Sequence, residues 1–328
     1  MRRWMDSGNP VSQFPGFRIA KFGMAGLGMA LALQACQPSP DTLLESRANR
    51  VRADPNRNLT VYTVNYPLAW FAKEIGGQDI DVVFPAPPDA DPAYWFPDPE
   101  IIGRYQQADL ILLNSANYAA WVQQATLPSA RLIDTSNSFG DSLIIIENSS
   151  THTHGPEGEH AHRGTAFTTW LDPGLAAKQA QSIRNALAQL RPDLRKDFDA
   201  GFNTLAANLD ELDQEFQAVF NRIGDQPVLF SHPVYQYLIR RYGINARSLH
   251  WEPDAYLMES DLAELAEILE THPATVMLWE SEPVDTVRET LGSRGVSSIV
   301  FSPAANTPMN GDYLSVMRNN LTNLQSAL

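Results

Sequence analysis

The sequence predicts an α/β protein of two lobes, each a parallel β-sheet flanked by helices, joined by a long backbone helix. Three observations carry this. Strand-like and helix-like segments alternate from Leu59 to about Trp170, the alternation resumes at Val228, and the stretch between is helical alone.

LTVYTV (59–64) has the composition of a buried strand, and Tyr66–Ile75 reads as a helix stopped by Gly76-Gly77. DVVF (81–84), a helix near Pro99–Gln107 and DLILLN (109–114) continue the pattern, and RLID (131–134) and LIIIE (143–147) add two more strands. Helix Leu175–Leu190 follows. After Arg191-Pro192-Asp193 comes an amphipathic run, Leu194–Ile223, whose apolar positions Phe198, Phe202, Leu205, Leu209, Leu212, Phe216, Val219 and Phe220 keep a helical period. At ~1.5 Å per residue it spans on the order of 45 Å, long enough to run along both lobes as a stiff spine and to restrict them to a modest relative movement. The second lobe reads as VLFS (228–231), helix Val234–Tyr242, ARSL (246–249), helix Glu259–Thr271, TVMLW (275–279), helix Val284–Leu291, SSIVF (297–301) and a closing helix near Tyr313–Ala327.

The expected organisation is therefore a segment 1–35 that is removed, a tether 36–58, an N-terminal lobe 59–170, a helical connector 171–223 and a C-terminal lobe 224–328. Arg2, Arg3, Arg18 and Lys21 precede a short apolar run, Phe22–Ala35, that ends in Leu33-Gln34-Ala35-Cys36. The run is too short to span a bilayer, and a small residue before the only cysteine of the chain is the pattern of a lipoprotein signal with lipid attachment at Cys36. This places the mature protein on the periplasmic or cell-surface side of the membrane, held by its lipid, and rules out a disulfide within it. The formal net charge is −14, and losing the basic N-terminal segment makes the mature chain more acidic still. That balance excludes nucleic acid as a partner and concentrates cations near the surface.

Four of the seven histidines fall in one loop, 151–163, as two H-x-H pairs, His152/His154 and His160/His162, around Gly155-Pro156-Glu157-Gly158-Glu159. Imidazole is the commonest neutral ligand of zinc, copper and nickel, and a glycine–proline turn can fold the two pairs back on one another without committing them to a helix or strand. His232 after VLFS, His250 and Glu252 after ARSL, and Glu280 and Glu282 after TVMLW are expected beyond the carboxyl ends of strands, where open parallel sheets hold ligands. Tyr94, Trp95 and Phe96 are candidates for the cleft wall or the core, and His272, at a helix end, for a structural role. The sequence has no G-x-S-x-G elbow, phosphate-cradling glycine loop or H-E-x-x-H helix, so it is not read as an enzyme.

NYPLAWFAKEIGG (65–77), PPDADPAYWFPDP (87–99), ADLILLN (108–114), TTWLDP (168–173), SHPVYQYLIRRYGI (231–244) and YLSVMRNNL (313–321), in this order, resemble the substrate-binding lipoproteins of zinc/manganese ABC importers. The resemblance spans nearly all of the chain from Leu59, and a His-rich insertion before the WLDP segment is typical of the zinc-specific members. It implies a divalent metal as cargo and an ABC permease as partner. It also exposes a departure. Of the four side chains with which that family holds metal, only His232 matches; the other three positions carry Ala93, Thr168 and Ser302.

Alanine and threonine do not replace imidazole at zinc, so the expected site is a relocated one: His154, His160, His162 and His232, with His152, His250 and Glu280 as further donors. Histidine-rich donors favour Zn2+ over Mn2+, while Cu2+ and Ni2+ remain open on affinity. Each imidazole must be deprotonated to bind, so capture is expected to weaken below about pH 6. Two alternatives stand beside this reading: a protein of the same fold that binds an organic solute without metal, and a metal-dependent hydrolase using the H-x-H pair.

Overall fold

The structure is a computed structural model. It describes residues 57–114, 118–146 and 164–327, together with the backbone of two short strands, Thr151–Thr153 and Glu159–Ala161. The expected signal segment, Cys36 and the tether up to residue 56 lie outside the described residues, as do His154 and His162.

Two four-stranded parallel sheets organise the molecule. The first has the order β2-β1-β3-β4, from Leu59–Thr63 (β1), Ile80–Val83 (β2), Leu110–Leu113 (β3) and Leu132–Asp134 (β4), with Leu59 opposite Ile80 and Val61 opposite Leu110. The second has the order β10-β9-β11-β12, from Val228–Phe230 (β9), Ala246–Ser248 (β10), Val276–Trp279 (β11) and Ser297–Val300 (β12). Both reverse direction between their first and third strands. That is the point at which a crevice opens beyond the carboxyl ends.

The expected strand at 143–147 does form in part, but not in the parallel sheet. Ile145–Ile146 (β5) pairs antiparallel with Gly164–Thr165 (β8), leaving Ile145 exposed. The reason is its partner. The Tyr237 hydroxyl donates to the Ala166 carbonyl at 2.8 Å and accepts from the Ile144 N–H at 3.2 Å, so this ribbon is held by the second lobe rather than by β4. The His-rich segment also departs from expectation. Thr151–Thr153 (β6) and Glu159–Ala161 (β7) pair antiparallel with His152 opposite His160, so the two arms do fold back on one another, but as strands.

The helices begin where side chains can satisfy their first N–H groups. In Tyr66–Gly76 (α1) Asn65 accepts from Leu68 N, and in Pro99–Gln107 (α2) Asp98 accepts from Ile101 N with Pro99 in the first turn. In Pro173–Leu190 (α3) Asp172 accepts from both Gly174 N and Leu175 N. Arg195–Ile223 (α4) is the expected spine. Its 29 residues bury Phe198, Leu205, Leu209, Leu212, Phe216, Val219, Phe220 and Ile223 along one stripe. No helix of the described residues is long and apolar enough to cross a membrane.

One apolar core takes in both sheets through this stripe, from Leu59 and Ile111 to Phe230 and Phe301. The closing helix, Tyr313–Ser326, joins them as well: the Tyr313 ring packs 5.3 Å from those of Trp70 and Phe71 in α1. Gly201 is where the spine touches α1 most closely. A Cβ there would sit 2.5 Å from the Ile75 carbonyl oxygen and 2.8 Å from that of Glu74. Gly201→Ala is therefore expected to destabilise the fold by about 1–3 kcal/mol despite alanine's better helix propensity, a difference that urea unfolding will read directly.

Candidate metal centre

Ser231-His232-Pro233 forms the turn that leaves β9. Proline disfavours helical geometry at the residue before it, so Gln236–Tyr242 (α5) starts later than the sequence pattern implies and His232 is left in the turn at the strand's carboxyl end. Its side chain is 2% exposed. The ring Nδ1 lies 3.0 Å from Glu252 Oε1, and the His250 ring stands nearly perpendicular to it, centroids 6.0 Å apart.

His232 and Glu252 border a cavity of about 520 Å³ between the loops of the two sheets, lined also by Asp91, Tyr94, Tyr118, Phe167, Thr168, Glu280 and Ser302 among others. Two positions that the family resemblance marks as having lost a donor, Thr168 and Ser302, stand on this wall with His232. Both are engaged locally. Thr168 Oγ1 donates to the Val234 carbonyl, and Ser302 Oγ accepts from Ala304 N at 3.2 Å. Ala93 is 3% exposed, in the loop that Asp91 ties down by accepting from Ala93 N.

The electrostatics follow from burial beside carboxylates. Burial raises the Tyr94 phenol far above its ordinary range, and Asp91, Glu280 and Glu252 push it further, which keeps the hydroxyl protonated. Tyr118 is raised in the same way, by burial first and then by Asp91 and Tyr94. His250 remains solvent-exposed, yet partial desolvation lowers its imidazole, His232 lowers it further, and Glu252 opposes both. A neutral imidazole is the form that a metal takes up.

Of the expected donors, His232 and Glu280 line the cavity and His250 packs against His232. His152 and His160 are described only as paired backbone, and His154 and His162 lie outside the described residues. Among the described residues no group of three or more His, Cys, Asp or Glu side chains is arranged to hold a metal ion. Glu252, which the sequence places only as one of several residues beyond a strand end, is the partner of His232. Its signal was its position two residues after His250, where β10's exit loop turns back: Trp251 N donates to the Ser231 carbonyl at 2.7 Å. Tyr118, in the loop after β3, carried no sequence signal. His272 has the structural role expected of it, with Nε2 3.1 Å from the Val228 carbonyl oxygen.

Known proteins share this fold. The metal-dependent lipoprotein YcdH of Bacillus subtilis superposes with a TM-score of 0.71 at 24% identity, over 83% of this chain and 100% of that one. Zn(II)-bound AdcA of Streptococcus pneumoniae gives 0.69 at 22% identity over 82% of this chain and 57% of that one, so the fold is common to all three. In sequence, the zinc-binding lipoprotein AdcA of Streptococcus pneumoniae is 26% identical over 290 residues, which cover 85% of this chain and 57% of AdcA. The chain thus spans little more than half the length of that relative. The high-affinity zinc uptake system protein ZnuA of Bacillus subtilis is 26% identical over 289 residues, 82% of this chain and 88% of ZnuA. Residues 61–327, from the first strand into the last helix, match the family described as zinc-uptake complex component A, periplasmic, and the chain belongs to that ZnuA family.

Proposed function

We propose that the chain is the extracytoplasmic binding component of an ABC importer, that it captures a divalent transition metal, zinc first, in the cavity between its two sheets, and that it hands the ion to a permease. One observation carries the reading: His232 Nδ1 stands 3.0 Å from Glu252 Oε1 on the cavity wall. A carboxylate on one ring nitrogen fixes the tautomer and leaves Nε2 as the nitrogen for a metal. The names of AdcA and ZnuA, both zinc proteins, support the choice of ion.

His154, His160 and His162, with His152, supply the remaining donors in this reading, and Glu280 and His250 stand in reserve at the strand ends. A closed tetrahedral zinc site needs four donors, so two or three loop imidazoles with His232 complete it. Lipid attachment at Cys36 keeps the protein at the membrane, within reach of the permease.

Calorimetric titration of the chelator-stripped protein with zinc, manganese, copper and nickel tests the reading. Zinc is expected to bind well ahead of manganese, and a variant with all four loop histidines changed to asparagine is expected to lose about 100-fold or more in zinc affinity. Undiminished zinc binding by that variant would remove the loop from the site. Failure of the unaltered protein to take up any of the four ions would end the metal reading altogether.

A further inference from the structure

We infer that Asn306 is a positioning residue whose one side-chain amide clamps the loop after β2 to the segment after β12 at the rim of the cavity, and that this clamp sets how fast cargo passes in and out. The identity of the cargo rests on the metal reading above; the clamp itself does not.

The orientation of the amide is fixed first. Asn306 Oδ1 accepts from Thr307 N at 2.6 Å, which turns Nδ2 the other way. Nδ2 donates to the carbonyls of Pro87 at 2.7 Å and Ala90 at 2.8 Å, 219 and 216 residues away along the chain. Those two carbonyls belong to one turn, closed by Ala90 N donating to the Pro87 carbonyl at 3.2 Å, so a single amide holds both ends of it. Both sides of the contact line the cavity, Pro88 and Asp91 from one loop, Ala305 and Asn306 from the other.

The donor also stands on a rigid base. Ala304 has a φ of 55°, a left-handed backbone that costs an alanine free energy. Such a conformation persists where its surroundings over-determine it, and here both neighbours are held. The Pro303 carbonyl accepts from Trp170 Nε1 at 2.7 Å, and the Ala305 carbonyl accepts from Tyr66 N at 3.0 Å. Asn306 follows directly, so its amide meets the turn from a place already fixed, and little ordering opposes the contact.

From the turn, position is passed on to the cavity wall. Asp91 Oδ1 accepts from Ala93 N at 2.8 Å, and the Asp91 carbonyl accepts from Tyr94 N at 3.1 Å and Trp95 N at 2.8 Å. The Tyr94 ring, seated in this way, meets Phe167 edge-on at 6.4 Å. Among the described residues the side chain of Asn306 hydrogen-bonds to backbone groups alone, so loosening it alters the rim and not the donors expected to hold the ion. A barrier shared by entry and exit changes both rates by the same factor and leaves the affinity where it was.

Asn306→Ala and Asn306→Asp test this, the second keeping the acceptor for Thr307 N while removing both donors. In the chelator-stripped protein, hydrogen exchange read by mass spectrometry is expected to run about tenfold faster in both variants at the amides of Ala90, Ala93, Tyr94 and Trp95, with the spine amides unchanged. Stopped-flow zinc binding is expected to show association and dissociation both about tenfold faster, with Kd changed by less than about threefold, a pairing that general destabilisation would not produce. Unchanged exchange at those four amides would overturn the clamp. Faster exchange with unaltered zinc rates, or a weaker Kd carried by dissociation alone, would overturn its control of passage. Failure of the unaltered protein to take up zinc would end the metal reading, and the exchange comparison would still decide the clamp.

Discussion

Changing His232 to alanine is expected to lower zinc affinity by more than about 100-fold, the largest binding effect of any single substitution in this chain. The residue is buried at the wall, lies at the carboxyl end of β9 beside the point where the sheet order reverses, and is the only described imidazole on the cavity wall. No neighbour replaces it. His250 is 6.0 Å away, ring to ring, and packs edge-on against His232. Glu252→Gln serves as the graded comparison. Glutamine keeps the shape but loses the charge that steadies the ring, and the expected loss is about 10- to 100-fold, the usual effect of removing a group that orients a ligand. Calorimetry on the two variants gives the ordering, and His232→Ala binding zinc as the unaltered protein does would show that the ion sits elsewhere.

Much of the architecture was legible in the sequence because the two periodicities are clean. VLF and VMLW are short apolar runs between turn residues, and the spine keeps a helical stripe for 29 residues, so element type followed from spacing alone. What sequence spacing could not give was pairing. Ile145–Ile146 has the composition of a core strand, but its hydrogen bonds are decided by Gly164–Thr165 and by Tyr237, more than ninety residues away along the chain. The site divides in the same way. Strand-end logic placed His232, Glu252 and Glu280 at one crevice, because loops after parallel strands share one edge of the sheet. That Glu252 meets the His232 ring depends on how the exit loop of β10 curls back to Ser231, a contact between residues twenty apart that no local pattern encodes.

The largest loss of stability is expected from Trp170→Ala. Trp170 is fully buried and joins three parts of the molecule at once: its Nε1 donates to the Pro303 carbonyl at 2.7 Å, its own carbonyl accepts from the Tyr313 hydroxyl at 2.6 Å, and its ring meets Tyr118 edge-on at 5.7 Å. Removing a buried indole costs about 3–5 kcal/mol through lost transfer energy and the void left behind. For a body of this size that corresponds to a fall in melting temperature on the order of 10 °C, measurable by calorimetry or circular dichroism. Trp170→Phe separates packing from tethering. It keeps most of the ring volume but strands the Pro303 carbonyl, and its expected cost is about 1–3 kcal/mol. Because Pro303 and Tyr118 both line the cavity, that smaller loss should come with faster release of bound zinc. A Trp170→Phe variant with an unchanged release rate would mean that the Trp170 tether serves the fold alone and does not hold the cavity wall in place.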